Sequence, residues 1–162
     1  VGVETFVIRA MPNTAIAVRN SMTCLCSNEV GKKRIKIAEA IFDRLGHTLS
    51  IPEPQMQAAT VVCASGIAFW MRLIRATSQA AIQLGFDAKE AQKLAMYTSE
   101  GAASLLITNG DHPEQEIDRV TTPKGCTIEG LNQMEHKGLS SSLIQGMVTS
   151  YDKINNIKNE QL

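Results

Sequence analysis

The stretch Val120-Thr121-Thr122-Pro123-Lys124-Gly125-Cys126-Thr127 lies between two helical patterns and ends in small residues where the second pattern begins. Main-chain N–H groups at a helix N-terminus have no partner inside the helix, and with nearby hydroxyls they can hold a small anion. Pro123 sets the entry to this loop, and Gly125 allows a positive φ or a close approach of a ligand. The stretch alone leaves two interpretations open, an anion site and an ordinary helix cap after a Thr/Pro turn.

Helical patterns dominate the chain on both sides of this loop, from Pro54 almost to its end. The apolar spacing and the turn residues predict six helices, with a break between the first two at Ala64-Ser65-Gly66. The predicted helices are Gln55–Cys63, Ser65–Leu84, Ala88–Thr108, Pro113–Val120, Cys126–Lys137 and Leu139–Ile157.

The two longest central helices carry apolar residues on more than one side. A helix that is apolar all round must be covered all round, and a domain of about a hundred residues covers two such helices poorly. We therefore expect a second subunit to cover them, with ordinary packing inside one chain as the alternative. Five small residues would allow close helix crossing: Ala80, Ala81, Gly101, Ala102 and Ala103.

A mixed pattern of strands and one helix precedes Ile51-Pro52-Glu53-Pro54. An amphipathic helix is predicted over Gly31–Leu45, with Gly46 as its end. The predicted strands are Glu4–Ile8, Met22–Cys26 and His47–Ile51. This β-β-α-β order is short for a doubly wound sheet, and we interpret it as the last part of one.

Composition and charge exclude several classes of function. Sixteen basic residues balance sixteen acidic ones among 162 residues, so no general field attracts nucleic acid or an anionic membrane. The cluster Lys32-Lys33-Arg34 with Lys36 is interpreted as a solvated helix face. No apolar run approaches a membrane span, and the start lacks a signal-peptide layout. We expect a cytoplasmic protein with neither a nucleic-acid nor a membrane partner.

The four cysteines predict no metal site. Cys24 and Cys26 alternate on a strand pattern and would face the same side, whereas Cys63 and Cys126 stand alone. No CxxC or histidine pair completes a zinc set. We expect four buried, reduced thiols, and the three histidines have no spacing typical of a metal site or a catalytic dyad.

An ordered series of motifs resembles the pyrroline-5-carboxylate reductase family. The loop of that family reads V-[ST]-[ST]-P-G-G-[TA]-T, and Val120–Thr127 reads V-T-T-P-K-G-C-T. Near the start, Met11-Pro12-Asn13-Thr14 matches the family's M-P-N-T. Further matches follow in chain order at Leu45-Gly46, Ser65-Gly66, Leu84-Gly85, His112-Pro113 and Gly130-Leu131. The series covers nearly the whole chain and is therefore much more specific than one short motif.

The resemblance implies a substrate site in the loop. The substrate carboxylate would be held at Thr122, Gly125 and Cys126, and the hydroxyl of Thr127 would hydrogen-bond the ring nitrogen of a cyclic imine, 1-pyrroline-5-carboxylate. Hydride transfer from NADPH or NADH to the imine carbon would give proline. Catalysis would then rest on positioning and charge stabilisation, without a covalent intermediate.

The resemblance also implies a cofactor site and a domain plan. Met11, Pro12 and Asn13 would lie at the nicotinamide end of the cofactor. The chain would be mainly α with a partial α/β region: 1–52 as the end of a Rossmann-type domain, 53–158 as a helical dimerisation and substrate-binding domain, and 159–162 as a polar tail. The helical domain of the family interlocks with a twofold mate, so a homodimer or a higher homo-oligomer is expected.

Three departures from the family pattern stand beside these matches. Lys124 replaces a glycine in the loop, and its side chain would either support carboxylate binding or point to solvent. The family's S-G-S-G-P-A appears as Cys63-Ala64-Ser65-Gly66-Ile67-Ala68. No G-x-G-x-x-G occurs in the 162 residues, so this chain alone is expected not to bind the dinucleotide tightly and to be inactive.

Two other functions stay open. The departures at Lys124 and at Ser65-Gly66 would also suit a non-catalytic dimerisation module that has kept the fold. A β-hydroxyacid dehydrogenase would carry its catalytic lysine at the position of Trp70, which argues against that chemistry.

Overall fold

The computed structural model of the chain describes residues 4–160. A three-stranded sheet with one helix comes first, and a series of helices follows. The strands are β1, Ile8–Met11; β2, Ser21–Ser27; and β3, Gly46–Ser50; helix α1, Ile35–Phe42, lies between the last two. The later helices are α2, Met56–Ala59; α3, Gly66–Gln83; α4, Ala88–Asn109; α5, Pro113–Val120; α6, Cys126–His136; and α7, Leu139–Glu160. The predicted class, mainly helical with a partial α/β region, is confirmed.

Strand β2 lies at the centre of the sheet. It pairs antiparallel with β1 and parallel with β3. Successive side chains of a strand face opposite sides, and the run Thr23–Cys26 is buried throughout, so both faces of β2 are covered. Cys24 and Cys26 share one face and pack with Met56 of α2, which confirms that these two thiols face the same side and are buried.

The first strand was predicted too early in the chain. Its ladder runs from Ile8 opposite Ser27 to Met11 opposite Cys24. Because β2 ends at Ser27, the chain before Ile8 has no strand to pair with, and Val7 instead exchanges hydrogen bonds with Asn28. The predicted Glu4–Ile8 is therefore wrong, whereas the other two predicted strands agree with β2 and β3 to within one residue at every end.

The predicted helix Gly31–Leu45 is shorter and begins differently. A 3-10 turn occupies Gly31–Arg34, and α1 follows from Ile35 to Phe42. Gly46 opens β3 rather than merely ending the helix. Its φ is +145°, and a Cβ there would lie 2.1 Å from the carbonyl oxygen of Ser21.

The predicted break at Ala64-Ser65-Gly66 is wrong, because the helix widens there instead of ending. A 3-10 turn, α2, a π-helical segment at Thr60–Ser65 and α3 follow one another without interruption. The Gly66 N–H donates to the carbonyl of Val61, five residues back, which is the π-helical pattern. Small residues at the predicted break let the helix open by one residue.

This continuity overturns the expectation that no apolar run approaches a membrane span. The helical run Glu53–Gln83 has 31 residues, and its most apolar 18-residue window has a mean hydropathy of 1.4 with 17% of the window buried. Core helices of soluble proteins meet the same criteria, so length and composition alone do not make it a membrane helix.

The chain packs as two compact units. Among the described residues, one unit contains 4–69 together with 145–160, and the other is Trp70–Ile144. These are packing units, and the predicted domain division after residue 52 stays a prediction. Helix α7 runs to Glu160 and so includes the start of the predicted polar tail; residues 161–162 lie outside the described range.

Within Trp70–Ile144 few side chains of the described chain are buried. Those below a tenth exposed are Ser78, Ala91 and Ala95. Several large apolar side chains there are more than half exposed, including Trp70, Met71, Leu84, Tyr97, Leu105, Ile107 and Ile144. The helices of this unit thus leave much apolar surface open in a single chain.

Candidate active site

The loop between α5 and α6 is a tight turn. The Gly125 N–H donates to the carbonyl oxygen of Thr122 over 2.9 Å, which closes a four-residue turn. Pro123 takes its second position, and Lys124 takes its third with φ +61°. Proline followed by a positive φ is the arrangement of a type II turn, and it brings Thr122 next to the start of α6.

Gly125 is required by a close approach rather than by its φ. Its φ is −77°, which any residue adopts. A Cβ there would lie 2.4 Å from the Thr122 hydroxyl oxygen and 3.0 Å from the Thr122 carbonyl oxygen. Of the two explanations offered for this glycine, the positive φ is wrong, because it falls on Lys124. The close neighbour is Thr122, which packs directly on the helix start.

The N-terminus of α6 is open. Gly125 is its N-cap and supplies no side-chain cap, so the first N–H groups of the helix point out of its end. The hydroxyls of Thr122 and Thr127 are exposed and, within residues 4–160, have no hydrogen-bond partner. Thr121 differs, because its hydroxyl donates to the Asp118 carbonyl and helps to end α5. The loop therefore offers main-chain donors and two available hydroxyls.

The charges around the loop are few. Lys124 is the basic residue of the turn, and Glu129 carries a carboxylate within the first turn of α6. Cys126 is exposed and Cys63 is only partly buried, so the expectation of four buried thiols is wrong for these two residues. At the loop end of α5, Arg119 is paired with Asp111 over 2.8 Å and with Glu116, so its charge is already engaged. The anion-binding capacity of the loop rests chiefly on neutral donors.

The M-P-N turn is organised around Asn13, which is 8% exposed. Its N–H donates to the Ser21 hydroxyl over 3.1 Å, and its side-chain oxygen accepts from the Ala15 N–H and caps the 3-10 helix Thr14–Val18. Its side-chain nitrogen donates to the Cys63 carbonyl over 3.2 Å. The side chain is thus fully engaged inside the protein, and it holds the turn in place.

These internal partners of Asn13 were missed from the sequence. Asparagine is among the preferred N-cap residues, so the cap of Thr14–Val18 had a recognisable signal. The bond to Cys63 had none, because the two residues are 50 positions apart and the acceptor is a main-chain carbonyl.

A second polar cluster lies beside the turn. The Cys26 thiol donates to Glu53 over 2.8 Å, and Arg9 pairs with the same carboxylate. Burial, followed by the contact with Glu53, raises the pKa of Cys26 to about 11, while Arg9 acts in the opposite direction. The thiol is therefore held protonated at neutral pH.

The predicted site residues fall into two groups. Thr122, Gly125, Cys126 and Thr127 come together at the start of α6, in the unit Trp70–Ile144. Met11, Pro12 and Asn13 come together in the other unit. Across residues 4–160, no group of three or more His, Cys, Asp or Glu side chains is arranged to hold a metal ion.

A family profile described as pyrroline-5-carboxylate reductase dimerisation matches residues 53–157. The chain belongs to the pyrroline-5-carboxylate reductase family. Among individual members, it is similar to pyrroline-5-carboxylate reductase 1 of Dictyostelium discoideum, with 48% identity over 159 residues that cover 91% of this chain and 29% of the relative.

Solved pyrroline-5-carboxylate reductases share the fold. The enzyme of Coxiella burnetii matches with a TM-score of 0.91 and 28% identity, over 96% of this chain and 58% of that one. The enzyme of Plasmodium falciparum, solved with NADP bound, matches with a TM-score of 0.86 and 24% identity, over 94% of this chain and 62% of that one. In each comparison the chain spans less than two thirds of the pyrroline-5-carboxylate reductase it matches.

Proposed function

We propose that this chain supplies the substrate loop and the dimer-forming helices of a reductase that converts 1-pyrroline-5-carboxylate to L-proline with NADPH or NADH. The observation that carries the proposal is the loop. Its turn places the Thr122 hydroxyl against the open N-terminus of α6, and Thr127 follows in the first turn of that helix, with no internal partner for either hydroxyl within residues 4–160.

The loop would act by binding and orienting the substrate. The first N–H groups of α6, at Cys126 and Thr127, and the Thr122 hydroxyl would hold the carboxylate. Thr127 lies in the first turn of α6, and its hydroxyl would hydrogen-bond the ring nitrogen and keep the imine carbon facing the hydride donor. Because the loop offers no free carboxylate or imidazole between Thr121 and Thr127, this assigns catalysis to positioning and hydrogen bonding.

The cofactor would supply the hydride, and the chain offers only one end of its site. Met11 and Pro12 are half-buried at the M-P-N turn, where they would border the nicotinamide. Asn13 would act by holding that turn, since its own side chain is engaged with Ala15 and Cys63. The glycine-rich phosphate turn is absent from these 162 residues, so the residues present fit the nicotinamide end alone.

The exposed apolar helices support a homodimer as the working form. Apolar surface of this extent is typical of an interface, and the family profile matched here is named for dimerisation. The proposed partners are a second copy of the chain and the cyclic imine. The proposed location is the cytoplasm.

The test joins the nucleotide-binding half of a Dictyostelium relative to the front of this chain and measures imine-dependent NAD(P)H oxidation. Thr127→Ala should lower kcat/KM by about 100-fold, because one hydrogen bond to the reacting ring is lost. Thr127→Ser, which retains the hydroxyl, should keep most of the activity. Thr121→Ala is the matched control, since that hydroxyl caps α5 and should leave kcat/KM nearly unchanged.

The alternatives give different results in the same experiment. A joined protein that binds the cofactor and leaves the imine untouched would show that the reductase assignment is wrong. An active protein in which Thr127→Ala changes nothing would remove Thr127 from the site. If activity persists when Thr122 and Thr127 are both replaced by alanine, the interpretation of this chain as a non-catalytic dimerisation module would be supported.

A further inference from the structure

Two of the four thiols lie against each other in the core. The sulfur atoms of Cys24 and Cys63 are 3.8 Å apart, although the residues are separated by 39 positions. Cys24 lies on β2, and Cys63 lies in the π-helical segment Thr60–Ser65. The remaining thiols are engaged or placed elsewhere: Cys26 donates to Glu53, and Cys126 is exposed on α6.

We propose that Cys24 and Cys63 form an oxidation site at which a peroxide produces an internal disulfide. A disulfide has an S–S distance of about 2.05 Å, so the sulfurs must approach by roughly 1.8 Å. Contact between two thiols on facing elements is the arrangement from which side-chain rotation can close such a bond. The site joins the central strand to the helix that begins at Glu53.

The two cysteines differ in access, which sets the order of events. Cys63 is partly exposed, whereas Cys24 is 2% exposed. Burial, and then the neighbouring Cys63, raise the pKa of Cys24 to about 11. Cys63 is therefore the thiol that meets the peroxide, and Cys24 is the thiol that resolves the product.

The chemistry balances in two steps. The Cys63 thiolate attacks one oxygen of hydrogen peroxide, and the O–O bond breaks. Cys63 becomes a sulfenic acid, and the departing hydroxide combines with the proton that the thiol had lost to form water. The Cys24 sulfur then loses its proton and attacks the Cys63 sulfur, and the S–O bond breaks to release a second water. Two thiols are oxidised, and the peroxide accepts two electrons.

The disulfide would form on Cys63, the residue whose carbonyl anchors the Asn13 side chain. The Cys63 carbonyl accepts the side-chain N–H of Asn13, so movement of Cys63 toward Cys24 acts directly on that bond. An effect on cofactor binding through this bond rests on the proposed function. The disulfide itself does not, and it is tested on this chain without any measurement of activity.

The experiment treats the Cys126→Ser chain with hydrogen peroxide, then denatures it, counts thiols and maps peptides without reductant. That background removes the exposed thiol and leaves three. The thiol count should fall from three to one, the mass should fall by two hydrogens, and a peptide joining Cys24 to Cys63 should appear and disappear again with dithiothreitol. A count that stays at three would overturn the proposal.

Variants separate this site from its neighbours. Adding Cys63→Ser should stop the loss of thiols, and adding Cys24→Ser should leave Cys63 as a sulfenic acid that a dimedone probe captures. Cys26→Ser is the matched control, because Cys26 lies on the same strand and face and should leave the Cys24–Cys63 link intact. A linked Cys24–Cys26 peptide, or Cys63 sulfinic acid beside an intact Cys24 thiol, would contradict the assignment.

Discussion

Lys124 occupies a backbone position that suits glycine. Its φ of +61° lies in the left-handed region, which costs a residue with a side chain about 1–2 kcal/mol. Glycine loses more conformational entropy on folding, by roughly 0.5–1 kcal/mol. Lys124→Gly should therefore raise the free energy of unfolding by about 0.5–1 kcal/mol, measured by urea titration of the chain.

The matched control for this prediction is Lys93→Gly. Lys93 is an exposed lysine inside α4, where glycine should lower stability by about 1 kcal/mol. Replacing lysine by glycine should thus raise the free energy of unfolding at position 124 and lower it at position 93. Equal losses at both positions would show that the loop does not adopt the turn described here.

Cys26 makes the fold sensitive to alkaline pH. Its pKa is raised to about 11 in the folded chain, chiefly by burial and then by Glu53. Above pH 9 the Cys26 thiol loses its proton in the unfolded chain before it does so in the folded chain. The folded chain therefore keeps its full stability relative to the unfolded chain below pH 9 and loses part of it as the pH rises toward 11. The unfolding free energy should fall across that window, and less steeply in Cys26→Ala. Parallel curves for the two proteins would show that Cys26 does not titrate as described.

At the residue scale the sequence predicted a candidate site through motif identity more than through geometry. Thr122, Gly125, Cys126 and Thr127 lie together at the start of α6 because they are consecutive or nearly so, and their binding role stays a prediction. The sequence could not show that the positive φ falls on Lys124, because the turn is set by the hydrogen bond between Thr122 and Gly125.

Gly46 is the glycine on which the sheet depends at the scale of elements. A Cβ at this position would lie 2.1 Å from the carbonyl oxygen and 2.3 Å from the nitrogen of Ser21, both main-chain atoms of β2. Because β2 and β3 begin their pairing at Ser21 and Gly46, neither strand can move away without breaking the ladder. Gly46→Ala should destabilise the chain by about 3 kcal/mol or more, seen in thermal or urea unfolding.

The control for Gly46 is Gly146→Ala in α7. No atom lies within 4 Å of a Cβ built at Gly146, and alanine favours a helix over glycine by about 1 kcal/mol. This substitution should leave the isolated chain unchanged or slightly more stable. A Gly46→Ala chain as stable as the parent would refute the close packing of β3 on β2.

Helices were predicted more accurately than their junctions. The bounds of α5 were predicted correctly, because His112-Pro113 marks its start and Thr121 its end. The break before α3 was wrong, since small residues that often end a helix here permit a π-helical segment whose Cys63 carbonyl is supported by Asn13. That support comes from a distant part of the chain, which local patterns do not report.

At the scale of the whole molecule, the sequence predicted a helical unit that needs a partner, and the single chain agrees with that description. The motif order predicted the family because it spans almost the whole chain. The arrangement of a partner could not be predicted, because Leu105 and Tyr97 are more than half exposed in the described chain and no local pattern says what would cover them.

The proposed dimer predicts that the mass in solution exceeds that of one chain. Light scattering on the purified chain should give about twice 17.6 kDa, because the apolar faces of α3 and α4 are left open in one copy. Leu105→Glu, at a position 52% exposed in one chain, should weaken the dimer by about 3 kcal/mol or more, since it would bury an unpaired carboxylate. Glu100→Lys is the control, because that exposed position of α4 already carries a charge and should keep the dimer mass. A folded parent chain that stays at 17.6 kDa across the concentration range would contradict the proposed dimer.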